Sequence, residues 1–426
     1  MSRVVLLVPT ATYRAEAFLA AADRLGVALT VASERRQLLA EVMGDRFVEI
    51  PLDDPPAAAA AIEAFAAAHP VDAVVAVDDQ GLLAAALAAA GLGLRHHPPA
   101  AVAVTRDKGA MRHLLAAAGV RQPDFAACAA EPGEAVEAVV ERAVERACRL
   151  GPPVVVKPPG LSASRGVIRA DDPRQVRQAA ARVIALLDRI GEPRRLVVER
   201  YVDGDEVALE GLVDDGRLTV LALFDKPDPL VGPYFEETIY VTPSRHAPEV
   251  QAAIAATAQA AATALGLTDG PVHAELRLPP GPDTEPVVLE VAARTIGGRC
   301  ASALRFATGG SLEELVLAQA LGRPLATAPA GGASGVMMLP IPASGRLVAV
   351  GGRDRAAKAP GVTALELSTP VGGTIEMLPD GDRYLGFLFA RGDTPEEVEA
   401  ALRAAHGELD VQVEPAGQVE PAGPVA

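Results

Sequence analysis

Two glutamates stand where an unpaired carboxylate is costly. Glu275 lies in the apolar run His273-Ala274-Glu275-Leu276, and Glu290 lies in Val288-Leu289-Glu290-Val291. Burying a carboxylate without a partner costs several kcal/mol, so each needs a cation. Two such acids on neighbouring strands suit Mg²⁺ (or Mn²⁺), which takes oxygen ligands and shares them with substrate phosphates. The alternative partners are Arg277 and Arg294. A second signal comes from scarcity. Only four of the 39 basic residues are lysines: Lys108, Lys157, Lys226 and Lys358. Lys157 ends the run Val154-Val155-Val156 and opens the small-residue loop Pro158 to Gly166. An ammonium group at a strand end, followed by Gly160, Ser162, Ser164 and Gly166, can hold a polyphosphate by point charge and by loop N–H groups. The competing reading is a flexible surface turn. Gly298 and Arg299 place another guanidinium on a Gly turn, a candidate clamp for a substrate carboxylate.

Positioning these residues requires strands and helices in a definite order. The first part alternates strand and helix: Val4–Val8, Thr10 to Leu25, Ala28–Ala32, Val48–Pro51, Pro56 to Ala68 and Ala73–Val77. That alternation predicts a parallel, doubly wound sheet. Asp78 and Asp79 follow the last strand, where such sheets place ligands; capping of the next helix is the other reading. Beyond it the pattern predicts helices at Thr105 to Gly119, Pro132 to Leu150, Arg174–Ile190, Pro248–Leu265 and Ser311–Leu321. Strands are expected at Leu196–Tyr201, Glu206 to Val213, Leu218–Phe224, Val272–Leu278 and Pro286–Ala292. Pro227 to Pro243 reads as a loop and Ala326 to Ser334 as a linker. Strands at Val336–Ile341, Leu347–Val350, Thr363–Leu367 and Tyr384–Ala390, with a helix over Pro395–His406, read as a small α+β cap. The tail from Glu414 repeats Val-Glu-Pro-Ala-Gly and reads as disordered.

Composition narrows the classes. A net charge of −16 with mixed signs argues against nucleic acid as a partner. No run reaches transmembrane length, and the N-terminus reads as a first strand rather than a signal segment. The three cysteines, Cys128, Cys148 and Cys300, lack metal spacing and fit a reducing cytoplasm. His96-His97 and His273 have no zinc-ligand spacing, and His96-His97 reads as a surface turn. Cys300 reads as a buried structural thiol rather than a nucleophile, since nothing supplies a base.

From about Thr105 to Leu321 these elements resemble the ATP-grasp superfamily, and the flanking regions resemble that family's usual partners. The similarity is greatest to the carboxylate–amine ligase branch, which includes the L-amino-acid (dipeptide) ligases. The resemblance implies an α/β pre-ATP-grasp domain at 1–104 and a two-subdomain ATP-grasp domain at 105–325, split at 200/201. It also implies an α+β cap at 326–413 and a tail at 414–426. It implies ATP bound between the two α+β subdomains. Lys108 and Lys157 take the positions of the family's two ATP lysines. Glu199, Arg200, Tyr201 and Val202 take those of the hinge whose backbone meets adenine, and Glu206 that of the ribose acid. Lys226 would add charge near the phosphates or the substrate, or form a surface salt bridge; the competing reading of Glu206 is a solvated strand-edge acid. Glu290-Val291-Ala292-Ala293-Arg294 resembles the motif Glu-x-Asn-x-Arg. Arg294 matches the Arg that stabilises the transferring phosphoryl group. Ala292 replaces the Asn, which puts a second metal in question.

The activity implied is an ADP-forming ligase that joins a carboxylate, such as an amino acid, to an amine through an acylphosphate. Catalysis would fall to Arg294 and Lys157, with small molecules as partners and dimers common among similar proteins. An ATP-dependent carboxylase, a carboxylate–thiol ligase and a non-catalytic nucleotide-binding protein are the alternatives.

Overall fold

Four strands at the N-terminus are short, apolar and parallel. The computed structural model describes residues 2–10, 12, 15–35, 44–281, 285–306, 309–324 and 326–415. The described chain divides into two compact units. One comprises Met1–Ala127, Val197–Asp225 and Thr242–Gly331; the other comprises Cys128–Leu196, Lys226–Val241 and Gly332–Ala426. The sequence segments expected as domains do not coincide with these units, because the chain leaves each unit and returns to it.

In the first unit, Arg3–Leu7 pairs in parallel with Ala28–Ser33 on one side and with Ala73–Ala76 on the other. Phe47–Glu49 adds the outer strand beside Ala28–Ser33. Val5, Leu7, Ala32 and Val74 pack against the Ala-rich helices Pro55–Ala68 and Leu82–Gly91. Alanine and valine fill this core because small side chains let helix and sheet approach closely. Asp54 caps the first of these helices by accepting from the amide of Ala57.

The same unit holds antiparallel strands in the order Val287–Ala292, Gly270–Leu278, Asp205–Asp214, Arg217–Lys226. One face is apolar. Val207, Leu209, Ala274, Leu276, Val288 and Val291 are buried there against the helices Lys108–Ala117 and Pro248–Leu265. With that face committed to the core, the alternate residues of each strand must point the other way.

In the second unit, Val154–Lys157 pairs antiparallel with Ile168–Ala170, backed by the helices Val136–Leu150 and Pro173–Ile190. Four more strands of the eight-stranded sheet that holds Val287–Ala292 lie in this unit as one segment, in the order Ile239–Thr242, Ala333–Leu339, Gly386–Gly392, Val362–Leu367. The helix Pro395–Gly407 covers it through Val398, Leu402 and Ala405.

Several expectations need correction. The Pro-rich stretch taken as a loop ends in the strand Ile239–Thr242, whose Ile239 and Val241 are buried. The expected linker stops at Gly332, since Ala333 already pairs with Gly392. Helical Thr105 to Gly119 is two helices, Pro99–Thr105 and Lys108–Ala117, separated where Asp107 caps the second. His97 is no surface residue. Its Nδ1 accepts the amides of Thr268 and Asp269, at 3.2 and 3.1 Å, and its Nε2 lies 3.1 Å from the Pro271 carbonyl. Burial and the neighbouring His96 push its pKa down to about 4, so it is a neutral structural bridge. Glu414 and Pro415 of the expected tail end the strand Asp410–Pro415, and the rest of that tail lies outside the described residues. Among the described residues no helix is long and apolar enough to cross a membrane.

Candidate active site

The non-core face of the first unit's antiparallel sheet collects charge. Register places Glu275 opposite Glu290, His273 opposite Ala292 and opposite Glu210, and Arg277 opposite Glu206. Paired residues of antiparallel strands share a face, so these side chains form one polar field. A bulge makes this possible. Glu275 pairs with Glu290, whereas Leu276 pairs with Val288, which leaves Leu289 as the extra residue. Val288 and Glu290 are two apart and would share a face in a regular strand. The bulge sends Val288 into the core and turns Glu290 towards Glu275.

Two carboxylates in facing positions repel unless a cation joins them. Lys108 Nζ lies 3.3 Å from Glu290, its own side chain 7% exposed. A Glu206 oxygen lies within 4.8 Å of a Glu275 oxygen. This oxygen-rich, half-buried pair fits a hard divalent cation such as Mg²⁺. Ala292 has no side-chain ligand to offer one. Of the arginines offered by sequence as alternative partners, Arg277 is bound to Glu206 and Arg294 to Asp79, with Glu290 also acting on the Arg294 charge. Arg277 Nε donates to Glu206 at 3.0 Å, Arg277 Nη1 donates to the Val202 carbonyl at 2.6 Å, and the guanidinium lies over the Tyr201 ring. Glu206 is thus a buried, paired acid and not a solvated edge residue.

Arg294 Nε donates to Asp79 at 2.7 Å, and Nη1 to the Thr295 carbonyl at 3.0 Å. Desolvation works against the Asp79 carboxylate, yet Arg294, with Arg106 and Lys108 further off, holds its pKa below the usual aspartate range. Burial would lower the pKa of Arg294, but Asp79, Glu290 and Glu210 raise it, so the guanidinium is a fixed cation. Asp78 caps the following turn through the amide of Gln80. The pair of acids therefore divides: Asp78 is structural and Asp79 belongs to the charged field.

His273 sits between two carboxylates, Nδ1 3.6 Å from Glu210 and Nε2 3.5 Å from Glu275. Burial would lower its pKa; the two nearby acids raise it to about 9. Glu210 also accepts the amide of Ile296 at 2.9 Å, which anchors the turn before Arg299. Gly298 and Arg299 both adopt left-handed backbone, at φ 56° and 55°. An Arg there is uncommon and strained by about 1 kcal/mol. Cys300 is buried, with its thiol towards the Gly298 carbonyl.

Glu199 is buried, and its carboxylate is bound by Arg112. The Arg200 amide donates to the Asp124 carbonyl at 2.8 Å. With the Val202 carbonyl taken by Arg277, two backbone groups of the expected hinge are already engaged.

In the second unit Lys157 is buried at its strand end. Ala163 and Ser164 are both left-handed, each at φ 55°, which curls the loop. The amides of Arg165, Gly166 and Val167 donate to Ser162, Pro379 and Ser164 carbonyls. A phosphate cradle is thereby restricted to amides earlier in the loop. Gly166 is required for shape: its φ is 73°, and a Cβ would lie 3.1 Å from Pro158 and 3.2 Å from Leu186. Lys226 forms no surface salt bridge. Its Nζ, 3% exposed at the side chain, lies 2.8 Å from Glu237 and over the Tyr240 ring. Tyr240 and Tyr384 hydroxyls donate to the same carboxylate, at 2.5 and 3.0 Å. Burial would raise the Glu237 pKa, but Lys226 and these donors lower it.

Sequence reasoning missed Glu210, Arg112, Glu237 and the role of Asp79. Glu210 carried the signal used for Glu275, an acid within an apolar strand. The others depend on partners distant in sequence.

Paired glutamates on a sheet face, a helix lysine beside one of them and an anchored arginine, in a chain with an N-terminal parallel sheet, fit a class of nucleotide-using enzymes. The chain belongs to the ATP-grasp superfamily, in the branch that carries the L-amino acid ligase C-terminal domain. Models of three domains match it: the ATP-grasp N-terminal domain at residues 19–96, the ATP-grasp domain at 150–303, and the L-amino acid ligase C-terminal domain 2 at 337–414. It is similar to the crystal structure of an L-amino acid ligase from Bacillus licheniformis, with TM-score 0.77, 26% identity, and coverage of 97% of this chain and 99% of that one. It is 28% identical over 186 residues to alanine–anticapsin ligase of Bacillus subtilis (strain 168), covering 39% of this chain and 38% of that protein. It is 31% identical over 148 residues to dapdiamide A synthase of Enterobacter agglomerans, covering 34% of each. The matches span little more than a third of these curated relatives' lengths.

Proposed function

We propose that the protein is an ATP-dependent, ADP-forming ligase that joins an amino-acid carboxylate to an amine. The observation that carries this reading is the facing pair Glu275 and Glu290, with Lys108 at 3.3 Å, on a sheet face that Arg294 also enters. Such an arrangement supports a site where a divalent cation and an ammonium group meet phosphate charge.

Phosphoryl transfer to a carboxylate is mainly positioning and electrostatics. Lys108 and Lys157 neutralise phosphate oxygens of ATP, and the early residues of the loop after Lys157, through Gly160, Ser162 and Ser164, contribute donors. Backbone groups of 199–202 meet adenine, and Glu206 meets ribose. Glu275 and Glu290 would hold Mg²⁺, which would offset phosphate charge as a Lewis acid. Arg294, pinned by Asp79, supports the negative charge that develops as the γ-phosphoryl group passes to the substrate carboxylate. Arg299, on its strained turn, grips a substrate carboxylate through two parallel N–H bonds. The acylphosphate is then attacked by the amine, releasing phosphate and leaving an amide. Kinship with amino-acid ligases supports amino acids as both substrates.

The test is ADP release measured over pairs of amino acids with ATP and Mg²⁺, with product mass read in parallel. ADP and the condensed product should rise together for at least one pair. ADP formation that depends on bicarbonate or a thiol, with no amide product, would replace this reading with a carboxylase or thiol ligase.

A further inference from the structure

Arg112 is 0% exposed, yet it carries a full charge into the core of the first unit. Its five contacts account for the whole guanidinium fork. Nε donates to Glu199 Oε1 at 2.8 Å and Nη2 to Glu199 Oε2 at 3.2 Å. Nη1 donates to the Val288 carbonyl at 3.1 Å and to Gln122 Oε1 at 3.4 Å. Nη2 also donates to the Leu289 carbonyl at 2.5 Å. Gln122 returns a bond from its amide to the Arg112 carbonyl at 2.7 Å.

A buried ion pair is a poor way to gain stability, because apolar side chains of similar volume often serve as well or better. What an apolar residue cannot do is hold carbonyls. The two carbonyls held here belong to Leu289, the extra residue of the bulge, and to Val288, where regular pairing resumes. Val287–Ala292 is the outermost strand of its sheet, so its outward groups lack a strand partner; the Val288 amide donates to the Arg121 carbonyl at 2.9 Å, and the Val288 and Leu289 carbonyls are left to Arg112. Without the bulge, Glu290 would follow Val288 towards the core. Lys108 and Arg112 are four residues apart on one helix, hence on the same face. One helical turn therefore meets Glu290 with an ammonium and the preceding bulge with a guanidinium.

We propose that Arg112 is the positioning residue that locks the Leu289 bulge and so aims the Glu290 carboxylate at Glu275. Its bond to Glu199 fixes the guanidinium itself, since a fork gripped at two carboxylate oxygens has one orientation. Lysine keeps the charge but cannot span Glu199 and both carbonyls. The inference rests on the reading of Glu275 and Glu290 as metal carboxylates, and its test separates the two.

The experiment measures ADP affinity with and without Mn²⁺ in the full-length protein, by calorimetry, with bound Mn²⁺ counted by electron paramagnetic resonance. Four proteins are compared: wild type, Arg112→Lys, Glu290→Gln and the double variant, each well below its melting temperature. Wild type should gain affinity with Mn²⁺. Arg112→Lys should lose at least tenfold of the Mn²⁺-supported affinity, and less than twofold when Glu290 is already Gln. Equal losses on both backgrounds, or no loss in a folded Arg112→Lys protein, would overturn the inference while leaving the functional reading intact. Absence of Mn²⁺-supported binding in wild type would remove that reading and this inference together. If Arg112→Lys does not fold, Arg112→Met with Glu199→Met removes both charges at similar volume and is read in its place. Wild-type Mn²⁺-supported affinity in that protein would equally overturn the proposal.

Discussion

Arg294 and Asp79 form a pair in which one residue acts through the other, and removing each in turn exposes that order. Arg294 is 14% exposed at its side chain, and its Nε is fixed 2.7 Å from Asp79. A preorganised donor aimed at developing charge contributes about 2.7–4 kcal/mol to the barrier. Arg294→Ala should therefore lower kcat by roughly 10²–10³-fold, with KM for ATP and amino acid changed little. Asp79→Asn keeps the acceptor oxygen and removes the charge. A charged hydrogen bond exceeds a neutral one by about 1 kcal/mol, which corresponds to about fivefold in rate if the loss falls on the positioning of Arg294. With Arg294 already Ala, Asp79→Asn should change kcat by less than twofold, because the group it orients is gone. The assay is steady-state ADP release with a confirmed amino-acid pair, together with thermal melting to verify folding. Fivefold losses on both backgrounds would show that Asp79 acts independently of Arg294. A rise in KM with kcat preserved in Arg294→Ala would place Arg294 in ground-state binding instead.

Lys157→Ala should weaken ATP binding by roughly 1.5–3 kcal/mol, the value of a charge-assisted contact, whereas Lys358→Ala should leave it unchanged; equal affinities by calorimetry would remove Lys157 from the phosphates. Turnover should require Mg²⁺ or Mn²⁺ and fail in Glu290→Gln, and activity that survives EDTA would refute the metal pair. Arg299→Ala should raise KM for an amino acid with little effect on ATP affinity, and an unchanged KM would release Arg299 from the substrate carboxylate. His273 has a folded pKa near 9, above its ordinary 6.5, so its stabilising contribution is complete below pH 6.5 and is lost as pH rises through 9. In the metal-free protein this amounts to at most about 3 kcal/mol. Denaturant melts should show stability declining over that interval in wild type and flat in His273→Gln; a flat wild-type profile would mean the imidazole is not held as a cation.

How much of this was legible in the chain depends on the range of the interactions. Alternation of apolar runs gave the parallel N-terminal sheet, because each strand and helix carries its own periodicity. Glu275 and Glu290 were legible for a local reason: an acid among valines and leucines demands a partner whatever the fold. Their facing register was not, since it rests on a bulge. Val288 and Glu290 are two apart, and strict alternation assigns them to one face. Only the paired strand reveals the extra residue at Leu289. Arg112 was equally silent. It lies in the helical segment Met111-Arg112-His113-Leu114, while the carboxylate and the two strand carbonyls it holds are 87 to 177 positions away. The same distance hid the pairing of Arg294 with Asp79 and of His97 with the 268–271 turn.

Those silent residues share a property that bears on mechanism. Arg112, Asp79, Glu210 and Arg277 are not among the proposed substrate contacts; each fixes a group that is. Arg112 fixes the strand of Glu290, Asp79 fixes Arg294, Glu210 fixes the turn before Arg299, and Arg277 fixes Glu206. Charged groups held this way lose little further freedom when substrate binds, and preorganisation of that kind is where electrostatic catalysis gains most. The arrangement also explains why Ala can occupy position 292. With His273 opposite it and Glu210 beyond, the polar field is continuous across that row without a side chain from 292. A substitution there that adds an amide, Ala292→Asn, would have to displace the His273 ring from between Glu210 and Glu275. It should therefore lower the His273 pKa and weaken Mn²⁺-supported nucleotide binding rather than strengthen it. Tighter Mn²⁺ binding in Ala292→Asn, with His273 still titrating near 9 by NMR, would show that the row has room for both side chains and that the field is not closed.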